Sequence, residues 1–201
     1  MFAIIQAAGW PIYFLLIASV IAVALIIERA TALRRSKIVP DGLLAMVVTE
    51  FRQHGASDDA IRRLKGHSPL GRVFAAGLKN VRNSREVMKE AVEEAGRAAA
   101  HDLERFLTSL GTIASISPLM GLFGTVVGMI EIFGSATGAG NNPQQLAHGI
   151  SVALYNTGFG LIIAIPAMIF YRHFRAKVDS FVIEMELQAV KLVELIHGER
   201  T

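Results

Sequence analysis

Ser115-Ile116-Ser117-Pro118-Leu119-Met120-Gly121-Leu122-Phe123-Gly124-Thr125-Val126-Val127-Gly128 sits inside a run, residues 106–130, that contains no Asp, Glu, Lys or Arg. A helix rises 1.5 Å per residue, so about 20 apolar residues cross a bilayer and this run suffices with some tilt. Its glycines and hydroxyls carry a second message. In hydrocarbon, small residues let helix backbones approach closely, and hydroxyls can bond across the contact. The stretch predicts a membrane helix made to touch other helices, with Gly121, Gly124 and Gly128 as packing positions and Pro118 within the same turns.

Working outward, residues 10–27 and 150–171 form two further apolar runs. The second includes Ile150-Ser151-Val152-Ala153-Leu154-Tyr155-Asn156-Thr157-Gly158-Phe159-Gly160 and continues through Pro166, so Gly160 and Pro166 join the packing set. Apolar residues make up 52% of the 201 and charged ones 18%, with a mean hydropathy of +0.45. The totals place the chain in the membrane class rather than among soluble domains.

Charge sets the topology. Of the 20 Lys and Arg, 15 fall in residues 28–105 and five in 172–201. Three crossings put those two segments on one side, and Lys/Arg-rich segments stay in the cytoplasm. The expected layout is a periplasmic N-terminus (1–9), a first span (10–27) and a cytoplasmic helical domain (28–105). A second span (106–133), a periplasmic loop (134–147), a third span (148–171) and a cytoplasmic C-terminal helix (172–201) follow. The first span reads as retained: it lacks a basic leader and runs to Glu28-Arg29. The pI near 9.4 then reflects cations beside anionic lipid headgroups, not nucleic-acid binding. Zero cysteines exclude disulfides and thiolate chemistry.

Start signals mark the cytoplasmic helices. Ser57, Ser68 followed by Pro69, and Ser84 followed by Glu86 all read as helix N-termini. Met88, Val92, Ala95, Ala99, Leu103, Phe106 and Leu110 recur at spacings of three and four, predicting one continuous face. The simplest outcome is a single rod over 85–133, roughly 70 Å long. A second rod continues the third span to about His197. The fold class is an all-α membrane protein with three transmembrane helices, two of them extended into long cytoplasmic helices.

Chemistry is sparse. Gly121-Leu122-Phe123-Gly124-Thr125 has neither the lysine nor the preceding strand of a phosphate loop. The six histidines show no metal-ligand spacing, and no serine stands with a base and an orienting acid, so neither an enzyme nor a cofactor is expected. Thr125 and Thr157 lie mid-span, Thr157 beside Asn156. Each threonine can serve as packing glue through its own helix's carbonyls, or line a wet path. Asn156 should face a helix or a cavity, not lipid. Glu131 stands near the outer end of the second span, and no acid lies at mid-membrane depth. A proton path needs such a group, so either no protons move or another subunit supplies the acid.

Gly121-Leu122-Phe123-Gly124-Thr125-Val126 with Gly128, then Ile150-Ser151-x-Ala153-Leu154-x-x-Thr157-x-x-Gly160-Leu161 and Ala164-Ile165-Pro166-Ala167, resembles the MotA/TolQ/ExbB proton-channel family, ExbB most closely. The resemblance implies a homo-pentameric ring around a pore lined by the second and third spans. Within it would stand the single helices of an ExbD-like partner, whose Asp takes up and releases protons in the bacterial inner membrane. A TonB-like protein would carry the work to the outer membrane. Thr125 and Thr157 match the family's pore threonines, with Asn156 beside them. Many relatives carry a glutamate where Val152 stands, so that acid has no role here. A TolQ-like envelope-maintenance role, and a passive scaffold or channel without energy coupling, remain as alternatives.

Overall fold

A computed structural model describes residues 9–135 and 143–198. Residues 1–8 of the expected N-terminal segment and residues 136–142 of the expected 134–147 loop lie outside the described residues, as do the side chains of Glu131, His148 and Val152. The described residues form eight helices and no strand: α1 (Pro11–Ala32), α2 (Arg35–Ile38), α3 (Leu43–His54), α4 (Asp58–His67), α5 (Pro69–Lys79), α6 (Arg85–Glu104), α7 (Leu107–Ser135) and α8 (Pro143–Ile196). The chain divides into two compact units, Met1–Arg29 with Phe106–His173, and Ala30–Arg105 with Phe174–Thr201.

In the first unit, three helices are long and apolar enough to cross a membrane: α1, α7 and α8. Their outer faces are apolar and open. Val20, Ile17, Leu119, Ile130, Ile162 and Ile169 are all exposed, the pattern of a surface whose solvent is lipid. Trp10 joins α1 to α7 by packing edge-on against Phe123, with ring centroids 6.0 Å apart.

The second unit is an ordinary apolar core with charged edges. Leu70 and Phe74 of α5, Met88 of α6, and Val178, Met185 and Leu192 of α8 are fully buried. Gly77 lets α5 settle on that core: a Cβ there would lie 3.1 Å from Val92 Cγ2 and 3.2 Å from Met88 Cε. Ion pairs tie the rim, with Arg35 to Glu184 and Arg72 to Asp102 each at 2.6 Å, and Arg175 to Glu104 at 3.1 Å.

Three serines start helices as the sequence suggests. Ser57, Ser68 and Ser84 accept from the backbone N–H groups of Ala60, Gly71 and Val87. Glu86 in the first turn of α6 has its carboxyl held below the ordinary carboxylate range, chiefly by a hydrogen bond from its own backbone N–H and then by Ser84. Ser68 is the buried one of the three, so its loss leaves an N–H without a substitute from water. Ser68→Ala is expected to cost about 1–2 kcal/mol, read as a lower unfolding midpoint in detergent. An unchanged midpoint would contradict the cap's role.

Two expectations are corrected. Residues 28–37 read in the sequence as a helical continuation of the first span that Pro40 stops, but α1 ends at Ala32 and the chain restarts as α2, with Leu33 and Val39 buried between and after. The expected single rod over 85–133 is instead two helices, α6 and α7, separated at Arg105 and Phe106. Phe106 has φ +65°, a left-handed conformation rare for a bulky residue. Its ring is covered by the Arg29 guanidinium, 5.3 Å from the centroid, a cation–π contact that offsets part of the backbone cost. Leu107, rather than Phe106, then takes the buried place between Leu103 and Leu110.

Candidate functional site

Helices α7 and α8 pack antiparallel within the first unit, and the contact can be followed residue by residue. At one end the Tyr171 ring lies over Gly111, 3.1 Å from where a Cβ would stand. Further along, a Cβ on Gly160 would meet the Ser117 carbonyl oxygen at 2.6 Å. One on Gly121 would meet the Asn156 carbonyl oxygen at 2.7 Å and Thr157 Cα at 2.9 Å. Gly124 is filled by a side chain: its Cβ would stand 2.6 Å from both Cβ and Cγ of Asn156. Gly128 is looser, with Ala153 Cβ at 3.5 Å. Contacts under 3 Å leave no room for any side chain, which is why glycine stands at those points and dispersion between backbones can hold the pair.

The sequence-selected residues divide into three groups. Gly121, Gly124, Gly160 and Asn156 form the tight centre, with Asn156 only 1% exposed. Thr125 and Thr157 are half-buried at its margin. Thr125 donates its hydroxyl hydrogen to the Leu122 carbonyl at 2.6 Å, as a threonine on an apolar helix is expected to do. Pro118 and Pro166 interrupt the backbone ladders of α7 and α8. Pro118 is half-buried whereas Pro166 is exposed, away from the centre. Ser117 was missed by sequence reasoning. It is buried, donates to the Ile113 carbonyl at 2.7 Å and offers its own carbonyl to the Gly160 contact.

This arrangement gives a rigid two-helix element with a polar seam in apolar surroundings. No Asp, Glu, Lys or Arg lies in 106–130 or 150–171, so the seam can hydrogen-bond a proton carrier but cannot itself carry charge at neutral pH.

Comparison with known proteins bears on what such an element does. Residues 65–187 match the model of the MotA/TolQ/ExbB proton channel family. An ExbB-like biopolymer transport protein of Synechocystis sp. is 36% identical over 165 residues, covering 79% of this chain and 77% of the relative. The Tol-Pal system protein TolQ of Pseudomonas aeruginosa is 32% identical over 186 residues, covering 84% and 78%. The biopolymer transport protein exbB1 of Vibrio cholerae is 32% identical over 165 residues, covering 80% and 71%. The matched region takes in α5, α6, α7 and most of α8, including every glycine of the tight contact. With its three membrane-length helices and all-α fold, the chain belongs to the MotA/TolQ/ExbB proton channel family.

Proposed function

We propose that this chain is the ring-forming subunit of a proton-driven motor in the bacterial inner membrane. It is ExbB-like and works with an ExbD-like single-span partner to energise TonB-dependent transport across the outer membrane. The observation that carries the reading is the seam between α7 and α8. A family that conducts protons needs a titratable group at depth, and residues 106–130 and 150–171 hold no carboxylate. The acid therefore comes from the partner, as one Asp on a helix standing against the seam. Thr125, Thr157 and Asn156 make up this chain's share of the path, the threonines by direct contact and Asn156 by holding the helices.

Five copies arranged around the partner's helices would turn the α7–α8 face inward. Residues 28–105 and 172–201, which hold all the Lys and Arg, lie in the cytoplasm on this reading, and the N-terminus lies in the periplasm. The TolQ-like role is the second reading. It is favoured by the 32% identity to a TolQ protein, equal to that of exbB1.

The test is proton flux into liposomes carrying a pH-sensitive dye, with this chain alone and with an ExbD-like single-span protein. Flux is expected only with both proteins, and should vanish when the partner's Asp is changed to Asn. Robust flux from this chain alone would overturn the division of labour. No flux under any condition would favour the passive scaffold.

A further inference from the structure

One stripe runs along α8 from Thr157 through Leu161, Ile165 and Met168 to Arg172, at three- and four-residue spacing, so these positions share a face of the helix. On α7, Pro118 stands seven residues from Thr125 and on the same side. Between Pro118 and the α8 stripe the two helices leave a groove of about 340 Å³, with Leu161, Ile165 and Met168 along it and Arg172 at one end. The groove therefore continues the face that carries both threonines. Leu161, Ile165 and Arg172 are exposed on it.

On the function proposed above, that face turns inward against the partner's helix, so the partner is what covers the groove. Charge says what the partner must bring. Arg172 makes no ion pair with another described residue, whereas Arg175, three residues on, is paired with Glu104 and Asp179. A wholly apolar helix laid over Arg172 would cover a cation and leave it without a counter-charge, which is costly. A carboxylate at that point would instead meet the guanidinium fork in a charge-assisted pair.

We infer that Arg172 is a docking cation for a second acidic residue of the ExbD-like partner, separate from the Asp that carries the proton. The inference rests on the proposed function and adds a register to it. From Thr157 to Arg172 the helix advances roughly 22 Å. With the proton-carrying Asp level with Thr157, the second acid lies about 15 residues away if the partner is helical and about seven if it is extended. It lies toward the cytoplasm, where the proposed topology places Arg172. The pair fixes how deep the partner stands and so holds its Asp at the threonines. Five copies in a ring would set five such cations around the partner, one for each orientation it can take.

The full-length chain co-expressed with an ExbD-like single-span protein gives the test, with the partner recovered in mild detergent as the readout. Arg172→Gln is expected to lower recovery roughly tenfold, the worth of one charge-assisted hydrogen bond, with the unfolding midpoint of this chain unchanged. Arg172→Glu should lower it further, and changing the partner's second acid to Arg in that background should restore it. Lys191→Glu, at an exposed cation outside the groove, should leave recovery intact. A photo-crosslinking residue at Met168 should capture the partner between its two acids. Recovery that is normal in Arg172→Glu overturns the inference alone, as does a crosslink only to lipid or to another copy of this chain. Failure to recover any partner with the unmodified chain overturns it together with the reading beneath it.

Discussion

Gly121→Ala is expected to be, with Gly160→Ala, one of the two most destabilising single methyl additions along the α7–α8 contact. The new methyl would stand 2.7 Å from the Asn156 carbonyl oxygen and 2.9 Å from Thr157 Cα. Both are backbone atoms of a helix, so neither can swing aside. The two helices must separate, and every contact along the pair weakens together. Overpacking of this kind costs about 1–3 kcal/mol, a fall of about 3–10 °C in unfolding midpoint for a chain of this size. Gly121→Leu should yield no stable protein. Gly124→Ala is expected to be milder because its nearest neighbour is the Asn156 side chain, and Asn156→Gly in the same chain should restore part of the loss. Gly128→Ala, with Ala153 Cβ at 3.5 Å, and Gly158→Ala, with nothing within 4 Å, should leave the midpoint unchanged. Thermal unfolding in detergent reads the whole series. Equal effects at Gly121 and Gly128 would show that the tight contact does not hold the pair.

Thr157→Val is expected to lower proton-driven transport about tenfold or more while the protein still assembles and unfolds at the same temperature. Valine keeps the shape of threonine and removes only the hydroxyl, so packing against Gly121 survives. On the proposed function, what would be lost is one hydrogen bond to the group carrying the proton, about 1–2 kcal/mol in a water-poor site, equivalent to roughly tenfold. Thr157→Ser keeps the hydroxyl and should retain most activity. Flux measured with the partner present, beside the unfolding midpoint, separates a lost proton contact from a lost fold. Full flux in Thr157→Val would leave packing as the only role of that residue.

The three membrane helices were legible in the sequence because composition decides them: runs free of charge have few other places to go. The serine caps were legible for a similar reason, since Ser57, Ser68 and Ser84 act on N–H groups only three residues away. The break at Phe106 was not. Met88 through Leu110 keep helical spacing straight across it, and phenylalanine has no preference for a left-handed backbone. What holds the break includes Arg29, distant in sequence and lying over the Phe106 ring. The partner of each glycine was hidden in the same way. A G-x-x-x-G spacing announces a close approach without saying what approaches. Only the antiparallel register shows that Asn156 fills the space at Gly124 while Gly128 faces a mere methyl.

Thr125 spends its only hydrogen on the Leu122 carbonyl, and a carbonyl can only accept. What this hydroxyl turns toward a visitor is therefore lone-pair density. It welcomes a neutral carboxylic acid, which has a hydrogen to give, and offers nothing to the ionised form unless its own bond first breaks. On the proposed function, a partner's carboxyl group passing this point would be held longer when loaded than when empty, which would bias the order of the cycle without any charge on this chain.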